Sequence, residues 1–329
     1  MKAIVQDTYG PADVLELRDI DRPSIGDEEV LVEVRAAAVD PGVWVLMTGT
    51  PYLARGGFGL RRPKVPIRGR DVAGVVAAVG AGVTRFRPGQ EVYGTCPAGS
   101  LAEYAKAPQA RLAPKPANLT FEQAAAVPVS GMTALQAVRD VAGVRPGQRV
   151  LVIGASGGVG SFAVQIAKAL GASVTGVCAA AKAEFVRSLG ADDVIDYTRE
   201  QIDRDGAHYD VVVDTGGNRP LSLLRRALTP RGTLVIVGGG HTAYRFTGGM
   251  GRTFRAPLLS MVTRGQRLRP MFSGERAEHL EDLTRLIESG AVVPAIDRAY
   301  PLAAAPDAIR HLMEGHPAGK VVVTVPGTA

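Results

Sequence analysis

The chain has 329 residues, a formal net charge of +6 and only two cysteines, Cys96 and Cys178. That length accommodates two domains with sizeable cores, and two cysteines cannot build a disulfide framework, so we expect a reducing cytoplasm. No apolar run of about 18 residues occurs and the sequence opens directly on a predicted strand, so we expect neither stable membrane insertion nor a signal peptide. The positive charge suits a phosphate-bearing ligand but is too diffuse to predict nucleic-acid binding.

Residues 1–115 predict a barrel-like, all-β module, because short apolar runs alternate with Gly/Pro turns. Pro88-Gly89 is one such turn, placed directly before a strand. The predicted strands are Lys2–Gln6, Leu15–Asp19, Val30–Ala37, Asp71–Val79, Glu91–Cys96 and Ala102–Ala107.

Residues 120–237 alternate helical stretches with apolar strands, which predicts an α/β domain with a doubly wound parallel sheet and right-handed crossovers. Two amphipathic helices, 278–289 and 303–314, and a final strand follow this region. The predicted strands are Val150–Ile153, Val174–Cys178, Val194–Ile195, Val211–Val213, Thr233–Val237 and Lys320–Val325.

The turn after the strand Val150–Ile153 is the strongest functional signal in the sequence. Its residues are Gly154, Ala155, Ser156, Gly157, Gly158, Val159 and Gly160, and a helical stretch and a second strand follow. Such a unit gathers backbone N–H groups at a helix N-terminus, where a dinucleotide pyrophosphate binds. Two alternatives remain: the G-x-S-x-G nucleophile elbow of hydrolases and a glycine turn without a ligand. Gly160 and the second strand favour the dinucleotide site, because a hydrolase requires neither.

The charge beyond the second strand favours NADPH as the cofactor. NAD sites usually place an acid about 20 residues past the glycines, whereas this strand ends in Cys178-Ala179-Ala180-Ala181-Lys182. Lys182 would attract a 2′-phosphate and the Tyr197 hydroxyl could bind it, unless Lys182 is a solvated lysine at a helix start. One or two charge-assisted bonds of about 1.5–3 kcal/mol each would favour NADPH about 10- to 1000-fold.

Several short motifs, in this order and spacing, resemble the zinc-independent quinone-oxidoreductase branch of the medium-chain dehydrogenase/reductase superfamily. The motifs are Gly69–Gly74, Val79–Val83, Phe86–Gly94, Gly99–Tyr104, Ala126–Pro128, Gly131–Ala134, Gly157–Gly160, Gly190–Asp192 and Gly319–Val322. The resemblance implies a Rossmann-type sheet and an N-terminal chaperonin-10-like β-barrel that carries the substrate and is completed by the C-terminal segment. We therefore expect a barrel domain of residues 1–122 plus 270–329 and a dinucleotide-binding domain of residues 123–269.

The resemblance also suggests where further site residues lie. Thr133 matches a threonine near the nicotinamide, although a helix N-cap is an equal alternative, and Gly238 and Lys320 complete the predicted cofactor-binding set. A homodimer is implied through the edge strand Thr233–Val237. Asp71 is expected to tie a turn.

The residues at the zinc-ligand positions predict that no metal is bound. Zinc relatives supply a cysteine and a histidine where this chain has Asp40 and Arg70, and zinc prefers sulfur and nitrogen ligands. The stretch Val39–Trp44 resembles a family pattern that borders the nicotinamide and substrate. Asp40, which stands in that stretch, and Tyr52, which follows it, are therefore the candidate catalytic residues, although a packing role for Tyr52 is equally consistent.

Without a Lewis acid, the favoured reaction is hydride transfer from NADPH to a small-molecule quinone or α,β-unsaturated carbonyl, with protonation by water or a tyrosine. The alternatives are an enoyl-thioester reductase of the same superfamily and a catalytically weak NADPH-binding structural or RNA-binding protein. An arginine-rich segment, residues 245–269, predicts a lid with a solvated face, or a surface for anionic lipid.

Overall fold

A computed structural model describes residues 1–52, 55–97, 99–203, 206, 208–237, 251–262, 265–314 and 317–327. The chain forms two compact units. The first contains Met1–Met132, Glu275–Gly290 and Pro294–Ala329, and the second contains Thr133–Gly274 and Ala291–Val293.

The first unit is built on a seven-stranded sheet with the order β14-β15-β3-β4-β5-β7, and β6 pairs with β3. A separate hairpin joins β1 (Lys2–Val5) to β2 (Glu16–Asp19). The strands of the large sheet are β3 (Glu29–Val39), β4 (Asp71–Val79), β5 (Glu91–Thr95), β6 (Tyr104–Pro108), β7 (Leu112–Pro114), β14 (Ile296–Pro301) and β15 (Lys320–Thr324).

The long central strand β3 forms because its apolar residues alternate with polar ones. Val30, Val32 and Val34 are buried while the residues between them are half exposed, so one face of the strand lines the core. Antiparallel pairing of β3 with β4, β6 and β15 brings together segments from the beginning and the end of the chain. The C-terminal strand therefore belongs to the first unit.

Short helices complete the first unit. They are α1 (Pro41–Thr48), α2 (Arg55–Phe58), α3 (Phe121–Ala125), α9 (Ala277–Glu288) and α10 (Ala305–Glu314). A capping box of Thr120 and Gln123 starts α3. The helix α4 (Pro128–Leu135) has residues in both units, because the boundary falls after Met132, and a π-helical stretch (Gln136–Val141) follows it.

The second unit is a six-stranded parallel sheet with the order β10-β9-β8-β11-β12-β13. Its strands are β8 (Arg149–Ile153), β9 (Ser173–Cys178), β10 (Asp193–Asp196), β11 (Tyr209–Asp214), β12 (Leu228–Ile236) and β13 (Arg267–Pro270), and its further helices are α5 (Gly158–Ala169), α6 (Ala183–Ser188), α7 (Leu221–Arg226) and α8 (Gly251–Val262). The continuous apolar runs of β8 and β11 are buried, as parallel strands covered on both faces require. The predicted α/β class, with a doubly wound parallel sheet, is confirmed.

Two expectations about the second unit are wrong. Thr233–Val237 is not an edge strand, because β12 lies between β11 and β13. Residues 267–269 are not part of a lid: they pair with β12, and Leu268 is buried between exposed arginines. Alternating polar and apolar residues over so short a segment are typical of an edge strand. The number of arginines in the segment pointed instead to a solvated lid. Arg245 and Arg264 lie outside the described residues.

Candidate active site

The glycine turn lies at the point in the parallel sheet where the strand order reverses. The chain leaves β8 through Gly154, and the neighbours of β8 are β9 on one side and β11 on the other. In open parallel sheets, ligands bind at this switch point, beyond the carboxyl ends of the strands. The predicted glycine turn and the topology therefore agree on one location.

Two glycines of this turn are required by its backbone geometry. Gly154 has φ +78°, a left-handed conformation that favours glycine. A Cβ on Gly160 would lie 2.0 Å from the Gly154 carbonyl oxygen, so any side chain there would separate the turn from the helix. These residues bring the start of α5 against the end of β8.

The N-terminus of α5 offers donors for an anion. Its N-cap, Gly157, has no side chain to cap the helix, and the N–H groups of Gly158 and Val159 have no backbone acceptor among the described residues. The dipole of this twelve-residue helix adds positive potential at the same point. Ala155 and Ser156, the turn residues between Gly154 and Gly157, are buried. The site therefore fits a pyrophosphate by its backbone donors alone.

Lys182 and Tyr197 both follow strands that end at this edge of the sheet. The Lys182 N–H donates to the Ala179 carbonyl (2.9 Å) in the turn after β9, and the Tyr197 N–H donates to the Cys178 carbonyl (3.2 Å) beyond β10. The Tyr197 side chain is exposed. Burial raises the pKa of the Cys178 thiol, and the positive charge of Lys182 opposes that shift.

An acidic residue that the sequence did not single out lies beside this pair. Asp196 ends β10 and pairs in register with Cys178, and it adds to the raised pKa of that thiol. Its carboxylate accepts hydrogen bonds from the Thr198 N–H (3.0 Å) and Oγ (2.9 Å), and the Thr198 N–H bond is the largest influence lowering its pKa. An acid is therefore present at the edge, but on the neighbouring strand rather than on β9.

The loop after β11 contributes a second charged pair. Asp214 is fully buried and accepts from the Arg252 guanidinium (2.5 Å) and from the N–H groups of Gly216 and Gly217. The Nε and Nη1 atoms of Arg252 are buried and have no hydrogen-bond partner among the residues that the structure describes. Thr215 donates to the Ile153 carbonyl (2.7 Å), which ties this loop to the glycine turn.

In the first unit, the buried Asp40 and the half-buried Arg70 belong to one group of charges. The Asp40 Oδ1 atom accepts from the Gly42 N–H (2.6 Å) and so caps α1, while the Oδ2 atom is buried without a partner in the described part of the chain. Arg70 Nη1 donates to Glu275 Oε1 (2.8 Å), and Arg70 Nη2 lies 3.8 Å from Asp40 Oδ1. Glu275 was missed by sequence reasoning, because 205 residues separate it from Arg70.

Lys320 and Asp71 form a buried ion pair beside this group. Their side chains are 2% and 0% exposed, and Lys320 Nζ lies 3.0 Å from Asp71 Oδ2 and donates to Ser130 Oγ (3.2 Å). The other Asp71 oxygen accepts from the Val129 N–H (2.8 Å). Asp71 thus ties β4 to β15 and to the start of α4, and the predicted contact of Lys320 with a cofactor stays a prediction.

Two further predicted residues, Tyr52 and Thr133, have distinct surroundings. The Tyr52 ring, 37% exposed, stacks against the Arg55 guanidinium at 4.6 Å. Thr133 is the sixth residue of α4 rather than its N-cap, so the capping alternative is wrong. Gly238 lies outside the described residues. Among the residues that the structure describes, no group of three or more His, Cys, Asp or Glu side chains could hold a metal ion.

Comparison with known proteins places this fold and turn in a family. A GroES-like alcohol dehydrogenase domain profile matches residues 26–117, and a zinc-binding dehydrogenase profile matches residues 189–323. The chain is 34% identical over 338 residues to a chloroplast envelope quinone oxidoreductase homolog of Arabidopsis thaliana, with 98% of each protein covered. The chain belongs to the medium-chain dehydrogenase/reductase superfamily.

Further comparisons narrow the position of this chain within the medium-chain superfamily. It is 32% identical over 363 residues to the NAD(P)H oxidoreductase RTN4IP1, mitochondrial, of Bos taurus, which covers 99% of this chain and 89% of that protein. The quinone oxidoreductase of Coxiella burnetii superposes with a TM-score of 0.83 at 28% identity over 99% of each chain. This medium-chain protein is therefore an oxidoreductase of the quinone-oxidoreductase-like group, with the nicotinamide cofactor that the family implies. None of its described helices is long and apolar enough to cross a membrane.

Proposed function

We propose that this oxidoreductase transfers a hydride from NADPH to a quinone or an α,β-unsaturated carbonyl compound. The observation that carries the proposal is the side-chain-free cradle at the switch point, formed by Gly154, Gly157 and Gly160 against the start of α5. The names of the two relatives above, a quinone oxidoreductase homolog and an NAD(P)H oxidoreductase, agree with this chemistry.

The preference for the phosphorylated coenzyme rests on Lys182 and Tyr197. Both groups lie at the carboxyl ends of neighbouring strands, where the adenosine ribose binds in such folds. Asp196 would repel a 2′-phosphate and so oppose Lys182 in part, because the hydrogen bonds from Thr198 lower its pKa and keep its carboxylate ionised. A charge-assisted bond from Lys182 contributes about 1.5–3 kcal/mol, so we expect NADPH to bind more tightly than NADH.

Within the proposed reaction, NADPH supplies the hydride when it is bound. The second unit holds the coenzyme by the α5 N-terminus and by Thr133, Gly238 and Lys182. The first unit binds the acceptor near Asp40, and the Tyr52 hydroxyl or water delivers the proton. Negative charge develops on the acceptor oxygen, so a fixed positive group near that oxygen would accelerate the reaction.

The experiment that tests the proposal is calorimetric titration with NADPH and NADH, followed by turnover measurements with naphthoquinones, small enones and enoyl thioesters. We expect Lys182→Ala to weaken NADPH binding by about 10-fold or more and to leave NADH binding within about 2-fold. The control is the exposed lysine Lys64, replaced by alanine. Absence of heat with either coenzyme would refute the proposal.

The same panel separates the alternative functions. Turnover restricted to enoyl thioesters would identify an enoyl-thioester reductase. Tight NADPH binding without any turnover would favour a structural or RNA-binding role, and RNA binding would then be measured directly. Equal turnover with NADH and NADPH would overturn the role of Lys182 while leaving the fold and reaction type intact.

Domain roles, assembly and location follow from the same proposal. We assign the substrate to the barrel domain predicted as residues 1–122 plus 270–329, and the coenzyme to residues 123–269. A homodimer is proposed on family grounds, and the edges of the parallel sheet among the described strands are β10 and β13, not β12. A cytoplasmic location rests on the unpaired, buried thiols Cys96 and Cys178, which suit any reducing compartment.

A further inference from the structure

Arg70 is a cation in the first unit that lies between two carboxylates yet uses few of its donors. Its side chain is 27% exposed, compared with 15% for Glu275 and 6% for Asp40. One hydrogen bond, from Nη1 to Glu275 Oε1, anchors the guanidinium. An arginine carries five N–H donors, so most of them remain available.

Glu275 holds Arg70 in one orientation but does not neutralise it alone. Its Oε2 atom also accepts from Arg111 Nη1 (3.0 Å) and from Thr95 Oγ (3.0 Å). One carboxylate is therefore shared between two guanidinium groups. The arrangement fixes the position of Arg70 through one charge-assisted hydrogen bond and leaves its other nitrogens outside that contact.

Asp40 supplies charge but no hydrogen bond to Arg70. Its Oδ1 atom is used by the Gly42 N–H and lies 3.8 Å from Arg70 Nη2, which is beyond hydrogen-bonding distance. In the described part of the chain, neither Nη2 nor the buried Nε of Arg70 has an acceptor. Nη2 is therefore the nitrogen of Arg70 that could donate a hydrogen bond to a ligand.

The start of α1 lies at the same place, and the Asp40 carboxylate that caps it offsets part of the helix dipole. A Cβ on Gly42, the second residue of α1, would lie 3.4 Å from Arg70 Nη2, so the guanidinium packs over the helix N-terminus. A cation at the positive end of a helix is unfavourable, whereas an anion there is favoured. Burial lowers the pKa of Arg70, but Asp40 and Glu275 outweigh it and raise the pKa, so the guanidinium stays charged.

We propose that Arg70 is an oxyanion-binding residue, whose free Nη2 donor holds the carbonyl oxygen of the acceptor. This inference rests on the proposed function. It names the group that stabilises the negative charge formed on the acceptor oxygen during hydride transfer. Arg70 stands at the position where zinc relatives are expected to have a histidine ligand, so the guanidinium provides positive charge at that place without a metal. Asp40 and Glu275 act as positioning residues for it.

The reduction moves one hydride and one proton to the acceptor. The hydride forms a C–H bond at the electrophilic carbon of the enone or quinone, and the π-electron pair moves to the carbonyl oxygen. The acceptor gains two electrons with the hydride, which bound NADPH would supply, and becomes an enolate. An enolate formed from a quinone would then tautomerise to the hydroquinone anion, as the proton of its new C–H bond moves to oxygen. The enolate oxygen is bound by Arg70, which keeps its proton throughout, and a proton from water completes the product.

The test compares Arg70→Ala and Arg70→Lys with Arg85→Ala. Arg85 is a matched control, because it lies in the same unit, is 34% exposed and pairs with the carboxylate of Glu281. We expect Arg70→Ala to lower kcat/KM by about 100- to 1000-fold, as loss of one oxyanion donor does elsewhere, and Arg70→Lys to lower it by about 10-fold. NADPH binding is expected to stay within about 2-fold in all three variants.

Two readouts separate oxyanion binding from a structural role. Added guanidinium ion should restore part of the activity of Arg70→Ala. In addition, 4-nitrophenolate, a probe with an anionic oxygen on a ring, should bind the wild-type protein loaded with NADP+ at least about 10-fold more tightly than Arg70→Ala. The conservative Arg70→Lys variant keeps the test meaningful if the alanine variant fails to fold.

Failure of the oxyanion role of Arg70 and failure of the proposed function give different experimental results. If the wild-type protein binds no NADPH, the proposed function fails. If NADPH binds but 4-nitrophenolate binds wild-type and Arg70→Ala equally, or if the folded Arg70 variants match Arg85→Ala in kcat/KM, the oxyanion role is overturned. The phenolate measurement needs no turnover, so it decides the role of Arg70 even if no acceptor in the panel is reduced.

Discussion

Replacing Lys320 by methionine tests whether this lysine serves the fold or the coenzyme. The Lys320 ammonium and the Asp71 carboxylate are 3.0 Å apart and almost inaccessible to water. Removing one member of a buried ion pair costs about 3–5 kcal/mol, because the remaining charge is left without a partner. For a unit of this size, that loss corresponds to a decrease in Tm of about 6–20 °C.

The loss of unfolding free energy in Lys320→Met should depend on pH. Burial raises the pKa of Asp71, and Lys320 is the group that most strongly lowers it. In Lys320→Met the folded-state pKa of Asp71 therefore moves further above its unfolded value. Stability is then lost as the pH rises through that pKa, so the deficit in unfolding free energy should be larger at pH 8 than at pH 5.

Urea denaturation measures the loss of stability, and NADPH titration of the same samples measures any loss of coenzyme binding. Together they show whether Lys320 serves the fold or the coenzyme. Lys115→Met is the control, because Lys115 is also buried but its partner, Glu91, is exposed and would remain hydrated. The double variant Asp71→Asn/Lys320→Met should recover most of the loss, since asparagine can still accept from the Val129 N–H. A deficit below about 1 kcal/mol together with at least 10-fold weaker NADPH binding would refute the structural role and support a coenzyme contact.

Three further predictions concern the coenzyme site and the core. Gly160→Ala should abolish NADPH binding in calorimetry, because its Cβ would lie 2.0 Å from a carbonyl oxygen of the turn, whereas Gly57→Ala, which has open space, should bind normally. Asp196→Asn should increase the preference for NADPH over NADH by about 2- to 10-fold, because it removes a charge near the 2′-phosphate; an unchanged ratio would place the phosphate elsewhere. Burial raises the pKa of Cys96 to about 12, so its thiol should react with Ellman's reagent only after unfolding, and rapid labelling of the folded protein would contradict its burial.

Much of the second unit follows from local sequence. The buried runs of β8 and β11 and the glycines between β8 and α5 act within a few residues of one another, through side-chain burial and backbone sterics. These local rules place the switch-point turn correctly. The strands β7, β13 and β14 were missed, because β7 has only three residues and β13 and β14 are partly polar, so each becomes a strand only through the neighbour it pairs with.

The residues of the candidate site also fall into two groups: those that local sequence predicts and those that only the structure reveals. The sequence alone located the glycine cradle, Lys182 and the absence of an acid at the end of β9, because all of these lie within one βαβ unit. It did not reveal Asp196, which reaches that edge from the next strand, or the pairing of Arg70 with Glu275 across 205 residues.

Only the tertiary structure decided which charges are shared, which are buried and which donors remain unused. Backbone conformation and hydrophobic periodicity are set over a few residues, whereas the environment of a charge depends on whatever segment of the chain packs against it.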